Sequence, residues 1–374
     1  MTMPIRKAVF QPTRLIIEQS AAETATAQRI VRKFPHVERT IISDAKDVLT
    51  DAARDRSREG WRGSLLLAKQ RGPFLRLCPG TQNHLCCLYY NLDVAAGCDL
   101  GCSYCILQGY LNTPLITFYC NTDDMFSELT AHLSAHPQQF FRIGTGELSD
   151  SLTFEPIVDL APELVAFFSR RRNAVIELKS KNVHVDGLLG LRHNRRTVVA
   201  WSMNAEAVRQ SDEGTAATIP ERLEAAQAVQ DAGYRLAFHF DPMIDFEGWR
   251  EGYRETVDRI FGVIRPENIA WISLGALRYP AAFDEIMREN FPKSKLYLGE
   301  LLPGTDKKLR YFKPIRIELF KQMYDWIRGY SREVMVYLCM ESREVWQKSF
   351  GWAPKNSAEL KRMLDERVKS AAQH

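Results

Sequence analysis

Along the middle of the chain, short apolar runs recur at residues 140–143, 174–178, 198–203, 236–244 and 269–274. Each is strand length and closes on polar residues or a turn former, the pattern of strands covered on both faces. Between them the spacing becomes helical, most clearly over 220–232, where Leu223, Ala226, Ala228, Val229 and Ala232 mark one side and Gly233 supplies the stop. Alternating strands and helices predict a parallel sheet with right-handed crossovers and functional residues at the carboxyl ends of its strands. The flanks read differently. Residues 24–73 are rich in Arg, Lys, Asp and Glu and read as helices with a solvated face, so 1–85 is taken as an amino-terminal extension that Pro79-Gly80 and Cys86-Cys87 lead out of. Residues 86–300 form the expected core domain. The remainder, 301–374, carries a basic loop and an amphipathic helix.

Candidate chemistry concentrates in one loop. Cys98, Cys102 and Cys105 stand in a C-x3-C-x2-C spacing, with Gly97 and Gly101 as turn formers and Tyr104 before the last cysteine. Three thiolates can hold three irons of a four-iron, four-sulfur cluster and leave the fourth open to a ligand, whereas ferredoxin clusters use four. A structural zinc site completed by Cys86 or Cys87, or simple core thiols, would use the same residues differently.

The loop, its aromatic and the Ile106-Leu107-Gln108 that follows resemble the cluster loop of radical S-adenosylmethionine enzymes, closest to the spore photoproduct lyase family. That resemblance implies an incomplete (β/α)6 TIM-like barrel with amino- and carboxyl-terminal helical extensions. It also implies a 4Fe-4S cluster on Cys98, Cys102 and Cys105, with S-adenosylmethionine on the open iron. The cofactor contacts it implies are Gly144, Gly146 and Glu147 in Gly-Thr-Gly-Glu, Ser149 just after them, Lys181 at the end of the next strand, and Ser202 and Asn204 closing another. Read without the cysteines, the first of these is a strand-to-helix turn with a solvated Glu147, and the last pair a helix cap.

The same resemblance places Arg278-Tyr279 near a lesion in nucleic acid, most naturally DNA, and calls for a reductase such as flavodoxin or ferredoxin. In the segment 303–313, Lys307, Lys308, Arg310 and Lys313 flank Tyr311 and Phe312, a mix that suits extruded or single-stranded nucleic acid. A formal net charge of +4 on 374 residues is modest, so composition alone favours a plain solvated loop. One departure stands out. The family carries a hydrogen-donating cysteine just ahead of Ser-Asp, and here Glu147 or Leu148 precedes Ser149-Asp150. Tyr104 remains for a radical relay, and Cys339 or Cys120 could supply the missing thiol. Other substrates, a peptide or small molecule, and a non-enzymatic zinc or redox-sensing nucleic-acid binder, remain open readings.

Arg6, Lys7, Arg14 and Glu18 interrupt the first twenty residues, and no apolar run reaches membrane-spanning length. A cytoplasmic protein without membrane attachment is therefore expected, in a reducing compartment that leaves eight cysteines unpaired.

Overall fold

The computed structural model describes residues 9–55, 59–111 and 113–369. Seven parallel strands form its central sheet: β1 Tyr90–Leu92, β2 Phe141–Gly144, β3 Ala174–Ser180, β4 Thr197–Ser202, β5 Arg235–Met243, β6 Ile269–Ala276 and β7 Val336–Leu338. They neighbour one another in chain order, and Leu75–Leu77 adds an antiparallel edge beside β1. The sheet curls into a partial barrel of the expected kind. Helices such as Ile219–Asp231 and Trp249–Val263 cover its outside, the former opened by a capping box between Thr218 and Glu221. All eight residues of β6 are buried, which is why these strands read as apolar runs and not as alternating ones.

The barrel departs from six strands because β7 joins beyond β6, placing part of the carboxyl-terminal segment in the sheet. The amino-terminal segment differs more. Helices Ala25–Lys33 and Ala45–Arg54 are present, but they pack with strands Arg14–Glu18, Glu38–Ile42 and Ser64–Ala68 in a second parallel sheet. Ile116–Tyr119, parallel, and Ala95–Ala96, antiparallel, from the core region complete that sheet, so the division at residue 85 does not follow strand pairing. The charged residues around Ser64–Ala68 mask a five-residue run that is wholly buried.

Inside the barrel, polar groups of neighbouring strands close on one another. The Glu177 carboxylate accepts from His239 Nε2 at 2.9 Å and from Trp271 Nε1 at 3.0 Å, and Ser273 Oγ lies 2.7 Å from His239 Nδ1. Tyr89 adds its hydroxyl to the same carboxylate. Burial opposes ionisation of Glu177, yet His239, then Lys179 and Tyr89, hold its carboxyl down to about 2. His239 is thus a packed, bonded lumen residue. A carboxylate with a depressed native pKa contributes stability that is complete above its unfolded value and is lost as pH falls towards the native one. Stability should therefore drop by about 3 kcal/mol between roughly pH 4.5 and 2 on this account, and urea midpoints of Glu177→Gln should show a flatter pH dependence over that window.

Candidate active site

The three cysteines follow β1 on a loop that its neighbours grip from several sides. Gly97 and Gly101 adopt φ of +93° and +67°, the left-handed region that glycine enters at little cost. Gly97 N–H donates to the Leu148 carbonyl at 2.9 Å, and Ser149 Oγ donates back to the Gly97 carbonyl at 2.8 Å. Thr153 Oγ1 donates to Asp99 at 2.6 Å. Further along, Ser103 Oγ donates to Asp212 at 2.5 Å, Tyr297 hydroxyl to the Ser103 carbonyl at 2.5 Å, and Gln108 Nε2 to the carbonyls of Cys102 and Ser103 at 3.1 and 3.0 Å. Ser149 therefore serves the loop directly.

Burial pushes the Cys98 thiol well above its usual range, with Asp150 and Asp99 adding to the effect, and raises Cys102 to about 12. Burial also raises Cys105. Thiols this desolvated make poor free nucleophiles and become thiolates when a cation takes the proton's place. Closing a zinc tetrahedron needs sulfurs all about 2.3 Å from one point, while a four-iron cube takes each thiolate on its own iron. Three cysteines on one loop, without histidine, fit the second donor set.

Beneath the loop runs a buried ionic network. Tyr104, 8% exposed, donates its hydroxyl to Glu213, which also pairs with the fully buried Arg222. Arg222 Nη1 donates to the Ser202 carbonyl at 2.8 Å. Lys181 Nζ sits 5.5 Å from the centre of the Tyr104 ring, and although burial alone would lower its pKa, Cys102 and Glu213 hold it above the ordinary value. Asn204 accepts from Tyr253 hydroxyl at 2.7 Å and donates to the Pro242 carbonyl at 3.2 Å. Lys181, Ser202 and Asn204 each border this network, Lys181 through Tyr104 and Glu213, Ser202 through its carbonyl on Arg222, and Asn204 with its amide spent on protein partners. Tyr104 is tied into the ion pair. Sequence reading overlooked Glu213 and Arg222, since neither stands at a strand end.

Gly144 and Gly146 are close-approach positions. A Cβ on Gly144 would lie 1.5 Å from the Tyr89 hydroxyl oxygen, and one on Gly146 3.1 Å from Lys179 Cβ and Cε. Gly144→Ala should cost about 1–3 kcal/mol, as overpacking does, and chemical denaturation measures it directly. Glu147 is exposed on the turn, while Asp150 fixes the following loop, accepting from Ser180 Oγ and Lys181 N–H at 2.7 Å each.

Across the mouth, Arg278 holds Asp241 with both guanidinium ends, at 2.9 and 3.0 Å, and lies 3.5 Å from Cys339 Sγ. Tyr279 is buried and donates to Asp284 at 2.8 Å. Leu302–Pro303 and Lys308–Arg310 form a hairpin whose second strand pairs with Arg278–Pro280. Within it Arg310 is 3% exposed and bound to Asp306, so of the cations named from sequence it is a structural one. Lys308 is half-buried, and Lys307 is exposed at φ +61°. Cys120 is remote in kind, buried in the amino-terminal sheet with its thiol 3.7 Å from the Phe118 carbonyl.

A family model described as spore photoproduct lyase matches residues 82–317, well over half of the chain. The chain belongs to the spore photoproduct lyase family. The spore photoproduct lyase of Bacillus subtilis (strain 168) is 28% identical over 215 residues, 56% of this chain and 63% of that protein, so the match spans less than two thirds of this relative. The spore photoproduct lyase of Clostridium acetobutylicum is 22% identical over 320 residues, covering 83% of this chain and 90% of its own length. Among solved structures, a spore photoproduct lyase variant with dinucleoside spore photoproduct superposes with a TM-score of 0.78 at 22% identity, covering 88% of this chain and 100% of that one. A second variant, with bound S-adenosylmethionine and dinucleoside spore photoproduct, gives a TM-score of 0.77, also at 22% identity. The matched region takes in the cysteine loop, β1 to β6 of the barrel and the hairpin. No helix of the described residues is long and apolar enough to cross a membrane.

Proposed function

We propose that this chain is a radical S-adenosylmethionine enzyme that acts on a damaged base in DNA, in the manner of a spore photoproduct lyase. The observation that carries the reading is the cysteine loop at the carboxyl end of β1, in a chain whose family model spans the loop and strands β1 to β6 beneath it. Cys98, Cys102 and Cys105 would hold a 4Fe-4S cluster. When bound, that group supplies one-electron reductive cleavage of S-adenosylmethionine, giving a 5'-deoxyadenosyl radical. Flavodoxin or ferredoxin would deliver the electron, and a cytoplasmic setting suits an oxygen-sensitive cluster.

The chain's own residues bind, orient and exclude water. Gly97, Ser149 and Asp99 fix the shape of the cysteine loop, so its thiols are arranged before any ligand arrives. Glycines 144 and 146 let Tyr89 and Lys179 pack against the turn backbone, which sets the shape of the turn that carries Glu147. Glu147 is free to receive an ammonium group, and the half-buried Lys181 places a positive charge beside Cys102. The hairpin offers Lys307 to a phosphate. One relative's structure holds dinucleoside spore photoproduct together with S-adenosylmethionine, which supports a dinucleotide lesion as substrate.

The test is conversion of dinucleoside spore photoproduct to its two thymidines by anaerobically reconstituted protein. Repair is the expected result. Cleavage of S-adenosylmethionine without repair would leave the radical chemistry standing and remove the lesion. Lys307→Ala should weaken binding of lesion-bearing oligonucleotide and reduce the salt slope by about 1, read by fluorescence anisotropy across a salt series; an unchanged slope would take Lys307 out of the interface.

A further inference from the structure

The lumen groups of the barrel lie in layers, because side chains two residues apart on a strand share a face. Tyr89, Glu177, His239 and Ser273 bond to one another in the lower layer. Two residues further towards the carboxyl ends stand Asn91, Lys179, Asp241, Gly275 and Cys339, the last two residues beyond Tyr337 on β7. Tyr90 faces outward, its ring 5.3 Å from Phe141 and 5.9 Å from His132 on the covering helix, so Asn91 turns inward. Asn91 is only 6% exposed, and its Oδ1 has no hydrogen-bond partner among the described residues. A buried orphan acceptor costs about 1–3 kcal/mol unless something donates to it. A substrate group would.

Cys339 is held in the same layer. Its N–H donates to the Leu274 carbonyl at 2.8 Å, and its sulfur lies 3.5 Å from Arg278 Nη2, which with Nη1 clamps Asp241. A Cβ on Gly275 would come within 2.5 Å of Asp241 Oδ1 and 2.8 Å of Arg278 Nη1, so glycine is what lets this trio assemble. The thiol is partly accessible, whereas Cys120 is buried beside the other sheet, and it is the Cys339 sulfur that meets the Arg278 guanidinium. Burial first, then Asp241, keeps Cys339 protonated against the pull of Arg278. A hydrogen-atom donor needs its S–H bond intact.

We propose that Cys339 is the hydrogen-atom donor of the reaction, replacing the thiol that the family carries ahead of Ser149-Asp150, with Asp241 and Arg278 as positioning residues and Asn91 facing the substrate. The inference rests on the radical reaction proposed above. In the step, the S–H bond of Cys339 breaks and a C–H bond forms on the substrate carbon radical. One hydrogen nucleus and one electron move together, leaving a sulfur-centred radical, so a single turnover needs no further oxidant or reductant.

The test is a single turnover on dinucleoside spore photoproduct in deuterated water, with repaired thymidine weighed by mass spectrometry. The full-length protein should place one deuterium in the product. Cys339→Ala and Cys339→Ser should still form 5'-deoxyadenosine but lose labelled product at least tenfold, and Cys120→Ala should behave as the parent. Asp241→Asn should lower label yield while 5'-deoxyadenosine is unchanged, a split that a folding defect does not produce. Undiminished labelled product in both Cys339 variants, or its loss in Cys78→Ala instead, overturns the assignment. A second arm needs no cluster: dinucleoside spore photoproduct should slow iodoacetamide alkylation of Cys339 in the apoprotein at least threefold. Absence of protection sinks the assignment by itself, while protection without 5'-deoxyadenosine formation counts against the radical reaction alone.

Discussion

Cys102→Ala is expected to reduce both iron content and S-adenosylmethionine cleavage to background, and Cys98→Ala and Cys105→Ala should match it. Each thiol would hold one iron, so losing any of them removes a bond that the other two cannot replace. The loss should exceed the ~10–100-fold typical of groups one step removed from a metal. Cys102 is the most informative of the three. It is 8% exposed and lies beside Lys181, so the same change removes a partner of that half-buried ammonium. Iron and labile sulfide per chain, measured with 5'-deoxyadenosine after reduction, check the expectation. Retention of both in any one variant would show that a different cysteine is the third ligand, and Cys86 and Cys87 would be examined next.

Arg222→Met should be the most destabilising single change in the barrel. Arg222 and Glu213 are both fully buried and paired, so removing the cation strands a carboxylate that also receives Tyr104 and lies near Asn204. Burial opposes the charge on Glu213, and Arg222 followed by Lys181 overcomes that opposition. Breaking such a pair from one side costs about 3–5 kcal/mol, whereas replacing both partners is often close to neutral. Urea denaturation should therefore show a large fall in midpoint for Arg222→Met and substantial recovery in Arg222→Met/Glu213→Gln. Because Tyr104 and the Ser202 carbonyl hang on the same pair, the single variant should also bind iron poorly. An unaltered midpoint would mean that water reaches the pair.

Much of the barrel was legible because β3 to β6 are buried on both faces and therefore stand out as apolar runs. The three-residue β1 and β7 carry too little pattern to register, and β7 hides within a segment that otherwise reads as loop and helix. The amino-terminal strands escaped for the opposite reason. Glu38–Ile42 is largely exposed and Ser64–Ala68 is flanked by charge, so helical charge spacing dominates the window. At the site, the cysteine loop and glycine turn were readable from spacing. Glu213, Arg222 and the Asn91 orphan were not, because pairing across a barrel leaves no local signature. Arg310 shows the converse: in sequence it is one more cation in a basic loop, and in the fold it is committed to Asp306.

The measurement that bears most directly on the account is 5'-deoxyadenosine formation by the anaerobically reconstituted, reduced protein supplied with S-adenosylmethionine. The account predicts about four irons and four sulfides per chain and 5'-deoxyadenosine that disappears in the cysteine variants. A protein that takes up zinc without iron or labile sulfide, or that builds a cluster yet forms no 5'-deoxyadenosine under reduction, would contradict it.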